Sequence, residues 1–209
     1  MQTRKPGLFI TLEGGEGVGK STAAANLAAL LRENGHEVVL TREPGGTKGA
    51  EAIRDLLLKQ NVPLVAMAQT MLHFAARFDH VEQSIRPALE QGKIVICDRF
   101  YDSTIAYQAY GQGIAISDIQ TLIKLIKITP DITFLLELSE AEAQARLALR
   151  ASGSDRYEDM DQLFFKNVRE GFNQLAKAEP ERFVRVDASQ TASEVAASLH
   201  RVVHERIGR

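Results

Sequence analysis

The chain has 209 residues, 44% of them hydrophobic, with 25 Lys and Arg against 27 Asp and Glu and a formal net charge of −2. That length and apolar content suit one α/β domain with at most a small lid, and the balanced charge gives no pull toward nucleic acid or a membrane surface. The single Cys97 rules out an intrachain disulfide, and no apolar run approaches the ~20 residues that span a bilayer. Met1 to Lys5 are polar with no apolar run behind them, so no signal peptide is expected and the cytoplasm is the expected compartment.

In chain order, Leu8–Leu12 is the first of five short apolar, β-rich runs. It leads into Gly14-Gly15-Glu16-Gly17-Val18-Gly19-Lys20-Ser21, a complete GxxxxGK(S/T) loop, and then into a helical pattern from Ser21 to Leu31. Strand, loop and helix in that order are the context a phosphate-binding loop needs. The glycines turn successive N–H groups inward and the helix N-terminus adds partial positive charge. Lys20 then reaches the β/γ-phosphates of ATP, and the Ser21 hydroxyl ligates Mg²⁺. The candidate ATP-binding residues are Gly14, Gly15, Glu16, Gly17, Val18, Gly19, Lys20, Ser21 and Thr22. Gly35 falls just after this helix, where a left-handed cap is common.

The second run, Val38–Thr41, ends in Thr41-Arg42-Glu43-Pro44-Gly45-Gly46, a tight turn in which the spacing predicts a cis Glu43-Pro44 bond. A helical stretch over 70–78 puts Phe74 and Arg77 on one face. Two readings stay open for this pair: a nucleobase pocket, or a core phenylalanine beside a solvated arginine. The third run, Ile94–Cys97, ends in Asp98-Arg99-Phe100. Cys97 reads as a small buried hydrophobe. Asp98 suits a carboxylate that holds Mg²⁺ through water; the competing reading is a cap for a helix beginning near Ser103.

The last two runs are Ile132–Leu138 and Phe183–Val186, and capping boxes are predicted at Ser117-x-x-Gln120, Ser139-x-x-Glu142 and Thr191-x-x-Glu194. Strands alternating with helices predict an α/β fold: a five-stranded parallel sheet of the P-loop NTPase type, with helices on both faces. Ligands of such sheets bind at the C-terminal strand ends, where each run here meets polar residues. Between Arg150 and Asp161 the chain is polar and irregular, with Gly153 between two serines, and reads as a mobile lid.

From about Leu8 to Asp187 these segments resemble bacterial thymidylate kinase. The loop with its internal Glu16 is followed by Thr41 to Gly46, Phe74-Ala75-Ala76-Arg77, Asp98-Arg99-Phe100, Ala106-Tyr107-Gln108 and Asp155-Arg156-Tyr157-Glu158. The resemblance implies a single kinase domain over 1–209 that transfers the γ-phosphate of ATP to dTMP, giving dTDP for dTTP synthesis, with Mg²⁺ and as a homodimer. It implies that Phe74 stacks on thymine, Arg77 donates to its O4, and Gln108 supports the base. Tyr107 crowds the place of a ribose 2′-hydroxyl. Arg99, with Arg42 and Arg54, holds the dTMP phosphate; Ser103 belongs to the same dTMP set, and Glu16 faces the sugar hydroxyl. The catalytic set is Lys20, Glu16, Arg99, Arg150 and Arg156, with Arg146 a further lid candidate.

Gln112 stands where the family usually has an arginine, and Ala148 where some relatives carry one, so the contacts of those arginines are not carried over to this chain. A nucleoside kinase of the same fold would need a general base for an uncharged hydroxyl; the Thr41–Gly46 segment and Arg99 favour a phosphate acceptor instead. A nucleotide switch or a partitioning ATPase is the other alternative. The chain has no NKxD guanine motif, and Gly15 stands where a partitioning ATPase carries a second lysine.

Overall fold

The five apolar runs form five strands in a computed structural model that describes residues 7–58, 62–149 and 160–208. They are β1 (Leu8–Glu13), β2 (Val38–Arg42), β3 (Ile94–Asp98), β4 (Ile132–Glu137) and β5 (Phe183–Asp187). All pair in parallel, in the order β2-β3-β1-β4-β5. Four strands run one residue past the predicted apolar run, and that residue is Glu13, Arg42, Asp98 or Asp187. The ladder therefore carries charged groups to the C-terminal edge, where a ligand of such a sheet sits.

Alternate side chains of each strand enter different layers. Ile10, Leu12, Ile96 and Phe134 pack with α1 (Lys20–Glu33) and α9 (Ala192–Ile207) on one face. Phe9, Val95 and Cys97 pack on the other with α3 (Ala66–His80) and α6 (Ile116–Ile126). Helix α2 (Lys48–Leu58) lies against α3, which continues through a π-helical turn, Val81–Ile85, into α4 (Arg86–Glu90). After β3, α5 (Tyr101–Thr104) continues into a second π-helical stretch, Ile105–Gly111. Helix α8 (Gln162–Ala178) packs on that stretch. A Cβ at Gly171 would lie 2.9 Å from the Tyr110 ring, so only glycine admits this approach.

Thr191 and Glu194 form the predicted capping box of α9, and Ser139 caps α7 (Glu140–Ala148) by accepting from the Glu142 N–H. The box predicted at Ser117 does not form. Helix α6 starts two residues earlier, with Ala115 rather than Ser117 at its N-cap, because the Ala115 carbonyl already accepts from the Asp118 N–H. Gly35 is left-handed and Glu43-Pro44 is cis, as the sequence predicts. No helix among the described residues is long and apolar enough to cross a membrane. The predicted lid, 150–161, lies outside the described residues except for Met160 and Asp161; so do Arg150 and Arg156.

Candidate active site

The loop after β1 is shaped by close approach. Gly14 has φ 137°, and a Cβ there would lie 2.5 Å from the Leu136 carbonyl oxygen, so no side chain fits. Lys20 opens α1 with its ammonium turned back on the loop, donating to the Gly14 and Gly15 carbonyls at 3.2 and 2.6 Å. Burial, and next the Arg99 charge, pull it down to about 8. Ser21 Oγ donates to Asp98 Oδ2 at 2.5 Å. Asp98 Oδ1 is buried and makes no hydrogen bond among the described residues. The capping reading of Asp98 is overturned: Phe100 is the N-cap of α5, with no side-chain cap. A hydroxyl, a carboxylate and one uncommitted carboxylate oxygen are hard donors that suit Mg²⁺.

Beside the loop lies a cavity of about 210 Å³. Eight of the nine residues expected to hold dTMP line it: Glu16, Arg42, Arg54, Arg77, Arg99, Ser103, Tyr107 and Gln108. At its centre is Arg99, held at φ 69° just past β3. Its Nη1 donates to the Gly14 carbonyl at 3.1 Å and to Ser103 Oγ at 3.0 Å. Its Nη2 donates to Glu16 Oε1 at 2.6 Å and to Tyr107 Oη at 3.2 Å. The Tyr107 hydroxyl donates to the same Glu16 oxygen at 3.0 Å. Burial pushes the Glu16 carboxyl upward, but Arg99 and Lys20 outweigh it and hold the group at about 2. Beneath them Glu13 accepts from the Phe100 N–H at 2.7 Å and from Ser103 Oγ at 2.6 Å. Burial, then the Asp102 charge, push Glu13 up to about 8.

On the far wall Arg77 is 2% exposed, which overturns the solvated-charge reading. Its Nε donates to Glu43 Oε2 at 2.6 Å and its Nη1 to Thr104 Oγ1 at 3.2 Å. Phe74 is a core residue, 2% exposed, with its ring 4.9 Å from the Arg77 guanidinium carbon. It packs against Arg77, which lines the cavity. His73 also lines the cavity. It lies four residues before Arg77, one helical turn away on the same face. Burial, and then the charges of Arg77, Arg99 and Arg54, pull His73 down to about 3, so its ring is neutral.

At the mouth, Arg42 pairs with Glu51 at 3.1 Å and Arg54 donates to the Pro44 carbonyl at 2.8 Å. Gly14, Gly15 and Val18 border a second, more apolar cavity of about 320 Å³ between β4, α7 and α8. Thr22 is exposed and lines neither cavity. Arg146 donates to the Ala188 carbonyl at 2.9 Å, across from Gly19. Gln112, in the place of the family's arginine, donates to Gln69 Oε1 at 3.2 Å.

A phosphate-binding loop at the C-terminal edge of a parallel sheet, opening on a cavity walled by four guanidinium groups, defines a P-loop kinase whose acceptor is itself anionic. Residues 12–199 match the family model described as thymidylate kinase. The thymidylate kinase of Gluconobacter oxydans is 52% identical over 205 residues, which are 96% of each chain. That of Synechococcus sp. is 46% identical over 96% of this chain and 97% of its own. The crystal structure of thymidylate kinase from Ehrlichia chaffeensis superposes with a TM-score of 0.77 at 36% identity, covering 95% of this chain and all of that one. The chain belongs to the thymidylate kinase family and is a dTMP kinase.

Proposed function

We propose that this kinase moves the γ-phosphate of ATP to dTMP across the cavity walled by Arg42, Arg54, Arg77 and Arg99. The convergence of these four cations with the phosphate-binding loop is the observation that carries the reading. The loop N–H groups and Lys20 hold the ATP phosphates. Ser21 and Asp98 would hold Mg²⁺, which would neutralise charge on the ATP phosphates. Arg99, with Arg42 and Arg54, holds the acceptor phosphate. Because Glu16 stays ionised, it fixes the Arg99 fork through one carboxylate oxygen and offers the other to the sugar hydroxyl. Tyr107 stands where a ribose 2′-hydroxyl would be.

The base reading follows from donor chemistry. Arg77 offers only donors and thymine presents an acceptor at position 4, whereas cytosine presents an amino group there. Gln108 adds a second polar contact, Phe74 stacks on thymine, and the neutral ring of His73 adds a further flat surface in the cavity wall. In-line phosphoryl transfer then needs little beyond positioning and charge neutralisation, so no covalent enzyme intermediate is involved. Arg146, and in the lid Arg150 and Arg156, add positive charge on the donor side. We further propose a single kinase domain over 1–209 that works in the cytoplasm as a homodimer. Val65 at the N-cap of α3, Met71 on α3, and Leu125 on the adjacent α6 are large exposed apolar groups that support an apolar contact between copies.

The test is ADP release with ATP and Mg²⁺ over the common nucleoside monophosphates. Release that depends on dTMP and is at least about tenfold slower with dCMP is expected from losing one buried hydrogen bond. Release at the same rate without any acceptor would sink the reading in favour of a hydrolytic switch.

A further inference from the structure

Behind Arg77 lies a buried polar chain that the phosphoryl transfer does not use. Arg77 Nε donates to Glu43 Oε2 at 2.6 Å, while the other carboxylate oxygen, Oε1, faces His80 Nδ1 at 3.1 Å. His80 Nε2 in turn lies 2.7 Å from Thr41 Oγ1. Glu43 and His80 are buried, and the only cavity contact of the chain is at its Arg77 end and the Glu43 beside it. Helix α3 puts His80 three residues past Arg77, on the same face. The turn after β2 is built around the ring: at Gly46, with φ 89°, a Cβ would lie 2.4 Å from His80 Nε2.

Cys97 completes a group of three side chains spaced closely enough for a metal ion. The group does not behave as one. The Arg77 cation already occupies Glu43, and Cys97 donates to the Arg99 carbonyl as a thiol, which burial pushes up in pKa. The Glu43 carboxylate, bonded to Arg77, accepts from His80 Nδ1, and His80 Nε2 shares a hydrogen bond with the Thr41 hydroxyl on the other side of the ring.

We propose that His80 is a positioning residue for acceptor recognition, acting through Glu43 on Arg77; this rests on the reading of Arg77 as the thymine donor. A carboxylate held by one partner can swing about its Cγ–Cδ bond, and the guanidinium would follow it. With both oxygens committed, the plane of Glu43 is fixed, and Arg77 is held ready before dTMP arrives. The affinity for dTMP therefore includes preorganisation supplied by two residues, His80 and Thr41, that do not line the cavity.

The test uses the full-length enzyme, with KM for each substrate, kcat and thermal midpoints measured for His80→Leu, His80→Asn, Thr41→Val, Arg77→Gln and the double variant His80→Leu/Arg77→Gln. His80→Leu is expected to raise the KM for dTMP about tenfold, with the KM for ATP changed less than about twofold. His80→Asn keeps a donor to Glu43 and is expected to recover most of that loss. Thr41→Val should raise the same KM about threefold, and it decides the matter if His80→Leu does not fold. In the Arg77→Gln background, His80→Leu should add nothing to the KM for dTMP, because its route is gone. A folded His80→Leu enzyme with an unchanged KM for dTMP, or effects that add fully in the double variant, would overturn the proposal. An unchanged KM in Arg77→Gln alone would instead remove the thymine role of Arg77 on which it rests.

Discussion

Arg99 sits at φ 69°, a backbone region that costs a residue with a Cβ about 1–2 kcal/mol. Its bonds to Gly14, Glu16, Ser103 and Tyr107 offset that cost and tie the phosphate-binding loop to the acceptor wall. Across the cavity His73 is the residue whose role is easiest to test. If its ring stacks on the base together with Phe74, His73→Ala should raise the KM for dTMP about 5- to 100-fold, the range of a base–aromatic stack. His73→Phe keeps the flat surface and should stay within about threefold. Held down to about 3, His73 is neutral from pH 5 to 8, so the KM for dTMP should show no step near the ordinary histidine value. A step near pH 6.5 that disappears in His73→Phe would contradict the neutral platform. Lys20, Ser21 and Asp98 were legible in the sequence because a loop motif and a strand end fix their spacing. The place of His73 in the cavity wall was not. On a helix one residue is a rotation of about 100°, enough to exchange a cavity wall for the core, and FAAR looks the same either way.

At the scale of elements, the wall of the site is held from behind by one buried ion pair. Arg182, in the turn before β5, donates to Asp102 on α5 at 2.6 and 3.0 Å, to Thr133 on β4 at 2.6 Å and to Glu179 at 2.9 Å. Asp102 is followed by Ser103 and Thr104, so this clamp fixes the helix that presents both to the cavity. Arg182→Met leaves Asp102 buried and unpaired, and should cost about 3–5 kcal/mol of stability in denaturant melts. Adding Asp102→Leu should return most of that loss, since two apolar side chains fill the space without a stranded charge. If Arg182→Met alone costs under about 1 kcal/mol, the clamp is not what holds α5. The strands could be read from the sequence almost to the residue, because burial on both faces leaves continuous apolar runs. Two features could not. The π-helical stretches each insert one residue without breaking the apolar pattern, and the start of α6 needs no side-chain cap once Ala115 takes the first N–H.

For the whole molecule, the groups shifted inside the site give the fold a stability that depends on pH in a definite order. Glu16, held at about 2, contributes stability present above pH 4.5 and lost as pH falls toward 2. His73 ionises at 6.5 when unfolded and at about 3 when folded, so between those values the unfolded chain binds the extra proton and stability rises with pH. Glu13 works the other way. Its carboxyl ionises at 4.5 in the unfolded chain and at about 8 in the folded one, so the folded state holds the extra proton over that window. Its contribution is complete below pH 4.5 and is lost as pH rises through 8. Above 6.5 the His73 term has ended, and from there to 8 the Glu13 term acts without it. Glu13→Gln copies the neutral carboxyl: its carbonyl can accept from the Phe100 N–H and its amide can donate to Ser103 Oγ. The variant should therefore match the parent below pH 4.5 and become the more stable of the two by pH 8. Between pH 4.5 and 8 the two stability curves should diverge with a limiting slope of about 1.4 kcal/mol per pH unit, one proton's worth. Urea melts of both proteins at half-unit steps from about pH 4 to 9 measure this directly. Parallel curves would mean that Glu13 is ionised in the fold throughout, paired with the Arg99 charge rather than neutral beneath it.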